Sequence, residues 1–404
     1  MIIRQQYLDA LNAFVDKPLV KVIAGMRRVG KSVLMRQAMQ AREAAGISSK
    51  QILYIDKESL DFDGIRTHLD LNQWVQARKL NGKKTSRVYL YIDEVQEIAE
   101  WERAVVSLHG EGWCDITLTG SNAHLLSGEL STLLSGRHVV IPVYPLTLRE
   151  FALFRKAHGN KENTEESFWN YVRVGGLPGI HDFSLQSPAL GEFVRNLYSA
   201  ILLRDVVGRF RIRDVSVLER VARFVLANCG NITTAKSIAD YFKSQRLQVT
   251  LPTVLNYLDA LEAAWLVRKV GRIDLQGKKN LEFHDKYYAG DIGLRNGLVG
   301  YRETELPGLL ENIVCLELMA RGYSVCTGQR AGLEVDFVAE RADERMYLQV
   351  CYKLSDATTV EREFRSLDQI DDHWPKLVLS LDPHWEGARK GIRWVNLIQW
   401  LMKE

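Results

Sequence analysis

The chain has 404 residues, 46% of them hydrophobic and 25% charged, and a formal net charge of +3 at pH 7. That length predicts two or three domains, each with its own core, and the composition is that of an ordinary soluble protein. The small net charge neither demands nor excludes nucleic acid, because a local basic face can hide inside a balanced total. The five cysteines, Cys114, Cys229, Cys315, Cys326 and Cys351, form no CxxC pair and no Cys/His cluster of zinc spacing, so reduced structural thiols are expected. No stretch approaches the ~20 apolar residues of a membrane span, and Met1 to Gln6 lacks the apolar core of a signal peptide. A cytoplasmic protein with no membrane anchor is therefore expected.

Residues 3–15 read as a short amphipathic helix, with Tyr7, Leu8, Leu11, Phe14 and Val15 on one side, stopped near Pro18. An apolar run, Leu19 to Ala24, leads into Gly25-Met26-Arg27-Arg28-Val29-Gly30-Lys31-Ser32, and a helical pattern leaves it from Val33. Gly-x4-Gly-Lys-Ser between a strand and a helix is a P-loop. Its glycines let backbone N–H groups close around phosphate oxygens, and the helix N-terminus adds its positive dipole end. Lys31 then reaches the β- and γ-phosphates and Ser32 ligates magnesium, which makes ATP and Mg2+ the expected cofactors.

Gln51 to Asp56 is a second buried strand ending in a carboxylate. A polar helical stretch follows, and then Arg87-Val88-Tyr89-Leu90-Tyr91-Ile92-Asp93-Glu94. Apolar residues closing on Asp-Glu, downstream of a P-loop with one strand between, are a Walker B strand: Asp93 for the metal, Glu94 for the attacking water. Ile116 to Asn122 is the next strand. Should it lie beside the P-loop strand, Ser121 or Asn122 would point at the γ-phosphate and the water, as sensor 1 does; a plain polar strand end is the alternative. Leu125 to Leu134 is expected as a helix, and Arg137 precedes one more strand, His138 to Ile141. Arg137 is placed where ring-forming ATPases offer an arginine finger to the neighbouring nucleotide, or is a solvated surface arginine. Five strands alternating with helices predict a parallel sheet with the phosphate site at its carboxyl edge.

The P-loop, Tyr91 to Glu94, Thr119-Gly120-Ser121-Asn122 and the tail from Gly136-Arg137 through Pro142-Val143-Tyr144-Pro145-Leu146 resemble the AAA+ "ATP-binding protein" family of bacteria and archaea. Further on, Leu148-Arg149-Glu150-Phe151, Val174-Gly175-Gly176-Leu177-Pro178-Gly179, Leu203-Arg204-Asp205-Val206-Val207 and Asp291-Ile292-Gly293-Leu294-Arg295-Asn296 match the same pattern, so the resemblance covers the whole chain. It implies an α/β fold: an AAA+ core (1–145), a helical lid (146–212), a winged helix (213–290) and a nuclease-like α/β domain (291–404). The resemblance implies a homo-oligomeric ring, a hexamer first of all, and in the lid Arg204 is a candidate sensor 2, with pairing to Asp205 or to another helix as the alternative.

The residues support the last two domains independently. Val215 to Ala227, Ala235 to Phe242 and Pro252 to Ala263 read as three helices, and Trp265 to Val270 with Leu281 to His284 as a hairpin. Three helices and a hairpin are a winged helix, and Thr250-Leu251-Pro252-Thr253 starts its recognition helix with a cap and an early proline. Thr253, Asn256 and Tyr257 are candidate DNA-facing residues, and Arg268, Lys269, Arg272, Lys278 and Lys279 give the hairpin a field suited to phosphates. A protein-interaction module is the alternative.

Beyond it, Leu309 to Leu318 reads as a helix and 332–338 and 347–351 as strands. Glu311, Asp336 and a following short strand resemble the PD-(D/E)xK nuclease arrangement, where acid, acid and Glu-x-Lys gather magnesium. Here Gln349-Val350-Cys351 replaces Glu-x-Lys, with Lys353 two residues on, so a scaffold without the chemistry is expected. Three functions fit the sequence: an ATP-hydrolysing motor on DNA, a nucleotide-gated switch, and an ATP-dependent nuclease.

Overall fold

The structure, a computed structural model, describes residues 2–79, 87–123, 134, 136–277, 279–330, 332–354, 357–382 and 387–403. Two units emerge, 1–143 and 144–404.

Five strands carry the first unit: β1 (Val20–Ala24), β2 (Ile52–Asp56), β3 (Val88–Asp93), β4 (Cys114–Gly120) and β5 (His138–Pro142). Every pairing is parallel, in the order β2-β3-β4-β1-β5. Parallel neighbours need crossover connections, and α2 (Lys31–Ala44), α3 (His68–Gln76) and α4 (Trp101–Glu111) supply helices for them. Strands β1, β3 and β4 are buried along their whole length, as continuous apolar runs require. Val20, Val22, Leu90, Ile92 and Leu118 pack with Val105 and Leu108 of α4 into one core. Because β4 lies between β3 and β1, three carboxyl ends meet side by side. Strand β4 ends at Gly120, which leaves Ser121 and Asn122 in the loop beyond it. The expected helix from Leu125 lies outside the described residues except for Leu134.

The second unit opens on helices α5 (Leu148–Ala157), α6 (Thr164–Val174) and α7 (Pro188–Ala200), which runs on into a π-helical turn at Ile201–Gly208. Their boundaries are written in the sequence. Thr147 with Glu150 and Asn163 with Glu166 form capping boxes, and Ser187 with Pro188 starts α7. Then come α8 (Val215–Ala227), α9 (Ala235–Ser244) and α10 (Leu251–Ala263), followed by strands β6 (Val267–Asp274) and β7 (Lys279–Ala289). After α11 (Ile292–Val299) and α12 (Leu306–Ala320), strands β8 (Ser324–Arg330), β9 (Leu333–Arg341), β10 (Glu344–Val350) and β11 (Lys376–Ser380) extend the same sheet as β6 and β7. The hairpin expected as a free wing is thus part of a larger sheet: Arg272 to Asp274 pair in parallel with Thr327 to Gln329. Strand β8 has no counterpart in the sequence reading.

Two of the quoted motifs meet here. Asp291 is buried and accepts hydrogen bonds from Gly176 N (2.8 Å) and Leu294 N (2.9 Å), capping α11 while holding the chain break after α6. Asn296 donates to the Val172 and Arg173 carbonyls. A Cβ on Gly293 would lie 1.9 Å from the Val174 carbonyl oxygen, so only glycine permits that approach.

Candidate functional site

The phosphate loop leaves β1 at Ala24 and enters α2 at Lys31. Gly25 passes so close to β5 that a Cβ would sit 2.3 Å from the Val143 carbonyl oxygen. Gly30, with φ of 98°, takes the left-handed turn from which α2 starts. Arg28 is left-handed too. The loop is clamped from below by Met26 and Val29, both buried, and from α1 (Gln5–Asn12) by Arg4, whose guanidinium donates to the Val29 carbonyl at 3.2 Å. Arg27 reaches out to Glu58 at 3.3 Å, and Val33 is exposed on the first turn of the helix.

Lys31 is buried. Its ammonium donates to the carbonyls of Gly25 (3.0 Å) and Met26 (3.1 Å) and lies 3.6 Å from a Glu94 carboxylate oxygen. Asp93 ends β3 beside it. Burial pushes the Asp93 carboxyl above the usual range, while hydrogen bonds from Thr119 and Ser32 act in the opposite direction. Glu94 follows in a left-handed conformation, φ 52° and ψ 52°, with one carboxylate oxygen toward the Lys31 ammonium and the other accepting from the Gln96 amide.

Thr119 ties these acids together, and sequence reasoning did not single it out. Its hydroxyl donates to Asp93 Oδ1 and accepts from the Glu94 backbone N–H at 2.8 Å. Tyr54 adds a phenol 3.3 Å from Asp93 and 3.3 Å from Asp56. Ser121 is buried and Asn122 half-buried, just past the end of β4. Gly120 pairs with Ala24, so these two residues sit beside the start of the phosphate loop. Arg137 does not join the group. It is exposed before His138, which pairs with Val20, and so lies at the amino edge of the sheet, opposite its own phosphate loop.

Ser32 hydrogen-bonds to Asp93, so a hydroxyl and a carboxyl oxygen, the donor types a hard divalent cation takes, lie together beside the phosphate loop.

The second predicted cluster is built differently from the expectation. Glu311 of α12 and Asp336 of β9 do approach one another, but a lysine from β7 stands among them. Lys286 is buried with its ammonium 3.2 Å from Glu311 and 2.7 Å from Glu334. Tyr288 donates to the same Glu311 oxygen at 3.1 Å. Burial works against the Lys286 charge, yet Glu311, Asp336 and Glu334 together hold its pKa above the ordinary value. Burial and then the Glu311 charge push Asp336 well up. Gln349 faces α13 (Ala357–Asp368), donating to Glu363 at 3.2 Å, and accepts from the Asp336 backbone at 3.3 Å. Cys351 is turned away: its thiol lies 3.7 Å from the Leu379 carbonyl, and burial raises its pKa. Lys353 is exposed over the Tyr352 ring, so it does not replace the missing lysine. Among the described residues no three His, Cys, Asp or Glu side chains are placed to share one metal ion.

Of the residues expected to face DNA, Asn256 is exposed and Thr253 half-buried on α10. Tyr257 is a correction: its period along the helix turns it inward, where it is 7% exposed and donates to the Asp214 carbonyl. Arg272 is another, because sheet formation with β8 brings it to Gln329 (3.1 Å) and Glu334 (3.9 Å). Arg268 stacks on Trp265, and Lys269 pairs with Asp285 at 3.1 Å. Lys278 lies outside the described residues, and Lys279 is described only as pairing with Asp274 in the hairpin.

Comparison with known proteins bears on both halves. Residues 17–152 match the model of an AAA domain, and residues 165–305 match a domain of unknown function, DUF8612. An uncharacterized protein of Haemophilus influenzae is 34% identical over 403 residues, covering 100% of this chain and 99% of its own length. One from Methanocaldococcus jannaschii is 29% identical over 366 residues, 87% of this chain and 78% of the relative. Among solved structures, the Walker-type ATPase PABY2304 of Pyrococcus abyssi has the same fold, with a TM-score of 0.50, 17% identity, and coverage of 74% of this chain and 96% of that one.

Proposed function

The chain belongs to an AAA-domain family of P-loop NTPases that includes the Haemophilus influenzae protein, and from that premise we propose that it binds and hydrolyses ATP at the carboxyl edge of the first sheet. The observation that carries this reading is the constellation of Lys31, Asp93, Glu94 and Thr119 at the ends of three adjacent strands. Lys31 exchanges the Gly25 and Met26 carbonyls for the β- and γ-phosphate oxygens, and the amides of Gly25 to Val33 surround the phosphates. Glu94 orients the attacking water and accepts its proton, held in place by its own backbone bond to Thr119. Ser121 and Asn122 complete the γ-phosphate side. Ser32 and Asp93 would hold magnesium, which supplies positive charge for the developing phosphoryl oxygens.

Arg137 bears on assembly. At the amino edge of its own sheet it is separated from its own nucleotide by the length of β1, about 15 Å, so it does not serve its own site; a finger for a neighbour's nucleotide in a ring and a solvated surface arginine both fit that placement. The helices α8 to α10 serve as a winged helix for DNA, with Thr253, Asn256, Arg268 and Lys269 toward the backbone phosphates. The last α/β part is a nuclease-like scaffold in which Lys286 fills the acid cluster. This favours the motor over the nuclease. DNA that accelerates ATP turnover supports the motor, whereas turnover indifferent to duplex, forked and four-way DNA contradicts it.

A further inference from the structure

Helices α7, α8 and α11 of the second unit line an open groove of about 490 Å³, within the ~300–1,000 Å³ of small-molecule sites, with its arginine, glutamate and serine side chains exposed. Close packing forms its floor: a Cβ on Gly297 of α11 would lie 2.5 Å from Val194 of α7, so glycine lets the two helices meet. The walls are cationic. Arg195 projects from α7, and Arg220 and Arg223 project from one face of α8. Among the described residues Arg195 and Arg220 make no hydrogen bond or ion pair, and Arg223 makes one, to the Leu298 carbonyl at 2.8 Å.

Tyr198 supplies the second observation. It lines the same groove, is only 7% exposed, and its phenol oxygen is buried with no hydrogen-bond partner among the described residues. Native proteins satisfy such groups, so a buried orphan hydroxyl asks for a ligand. The charges acting on that phenol belong to Glu219 and Arg223, both lining the groove. Glu219 sets the chemistry further. A bare inorganic anion gains nothing from a carboxylate, but a ligand carrying hydroxyls beside its phosphate can donate to it.

We propose that this groove binds a small phosphate monoester of a sugar or nucleoside, its phosphate held by Arg195, Arg220 and Arg223 and its hydroxyls by Glu219. Planar guanidinium forks match phosphate oxygens two at a time, and the Ser199 and Ser216 hydroxyls stand alongside. None of these residues belongs to the phosphate loop, and nothing in the proposal depends on ATP hydrolysis.

The test uses the full chain carrying Lys31→Ala, so that the phosphate loop does not contribute, titrated calorimetrically with ribose 5-phosphate, AMP and inorganic phosphate. Saturable binding of one or both esters is expected, the tighter ester telling sugar phosphate from nucleotide. Arg195→Ala and Arg220→Ala each weaken it about tenfold or more. Glu219→Gln works in opposite directions, weakening ribose 5-phosphate and tightening inorganic phosphate, which a misfolded variant would not do. Absence of saturable binding to protein with a native circular dichroism spectrum overturns the proposal. Affinity unchanged in both arginine variants, or full displacement of the ester by duplex DNA, overturns it as well.

Discussion

Thr119 and Lys286 carry much of the argument at the level of single residues, and neither could be read from the sequence. Gly25 to Ser32 was legible because phosphate binding fixes residue types at fixed spacing along the chain, and Asp93-Glu94 because a carboxylate pair ends an apolar run. Thr119 matters only because β4 lies beside β3, so that one hydroxyl bridges Asp93 and the Glu94 amide. Thr119→Val is expected to lower ATP turnover about tenfold while leaving nucleotide affinity within about twofold, measured by steady-state hydrolysis and by titration. Unaltered turnover would remove Thr119 from the positioning of Glu94. Lys286 lies 25 residues from Glu311 in sequence, and only sheet formation by β7 brings them together. Removing one partner of a buried ion pair leaves the other uncompensated. Lys286→Met should therefore cost about 3–5 kcal/mol in urea unfolding at pH 8. The loss should shrink at pH 5, where Glu311 and Asp336, both raised by burial, can take up protons. Equal stability of variant and wild type at pH 8 would contradict the ion cluster.

Helix boundaries were the most legible elements, because capping residues announce them: Val215–Ala227 stands where apolar period placed it, and Thr250 starts α10 as expected. The π-helical turn at Ile201–Gly208 gave no such signal, since an i to i+5 ladder has no distinct residue period over eight residues. The motifs around Gly175 and Gly293 were visible as patterns without a reason. Their reason is mutual contact, and Gly293→Ala is expected to destabilise the second unit by about 3 kcal/mol, because its Cβ would overlap the Val174 carbonyl. A native-like urea midpoint for that variant would contradict the contact. His181 gives a pH-dependent prediction. Its ring packs against Phe151, Phe154 and His158 with neither nitrogen hydrogen-bonded among the described residues. Burial first, and then the charges of Arg155 and His158, lower its pKa to about 4, with Glu162 opposing. The unfolded chain protonates this ring near pH ~6.5, so between that value and about 4 the unfolded state binds the extra proton. Stability therefore falls as pH drops through this window, by about 1 kcal/mol per pH unit from this group. His181→Phe should flatten the fall in urea midpoint between pH 6.5 and 5; an unchanged slope would show that His181 is not its source.

For the whole molecule, alternation of strands and helices was enough to foresee the parallel sheet of residues 1–143, its strands placed within one or two residues. The order β2-β3-β4-β1-β5 was not, because sequence spacing is silent on which strand is inserted between which. In residues 144–404 the sequence suggested a free basic wing and a separate sheet; backbone pairing between β6 and β8 makes them one sheet, which removes Arg272 from the set of cations available to a partner. No helix among the described residues is long and apolar enough to cross a membrane. The central claim remains that Lys31, Asp93 and Glu94 form an ATP site. Isothermal titration calorimetry of the full chain with ATP and magnesium tests it most directly. One saturable site per chain is expected in wild type and in Glu94→Gln, with turnover in the latter reduced about a hundredfold or more and binding lost in Lys31→Ala. Folded wild-type protein that takes up no ATP, or Lys31→Ala that binds as tightly as wild type, would contradict it.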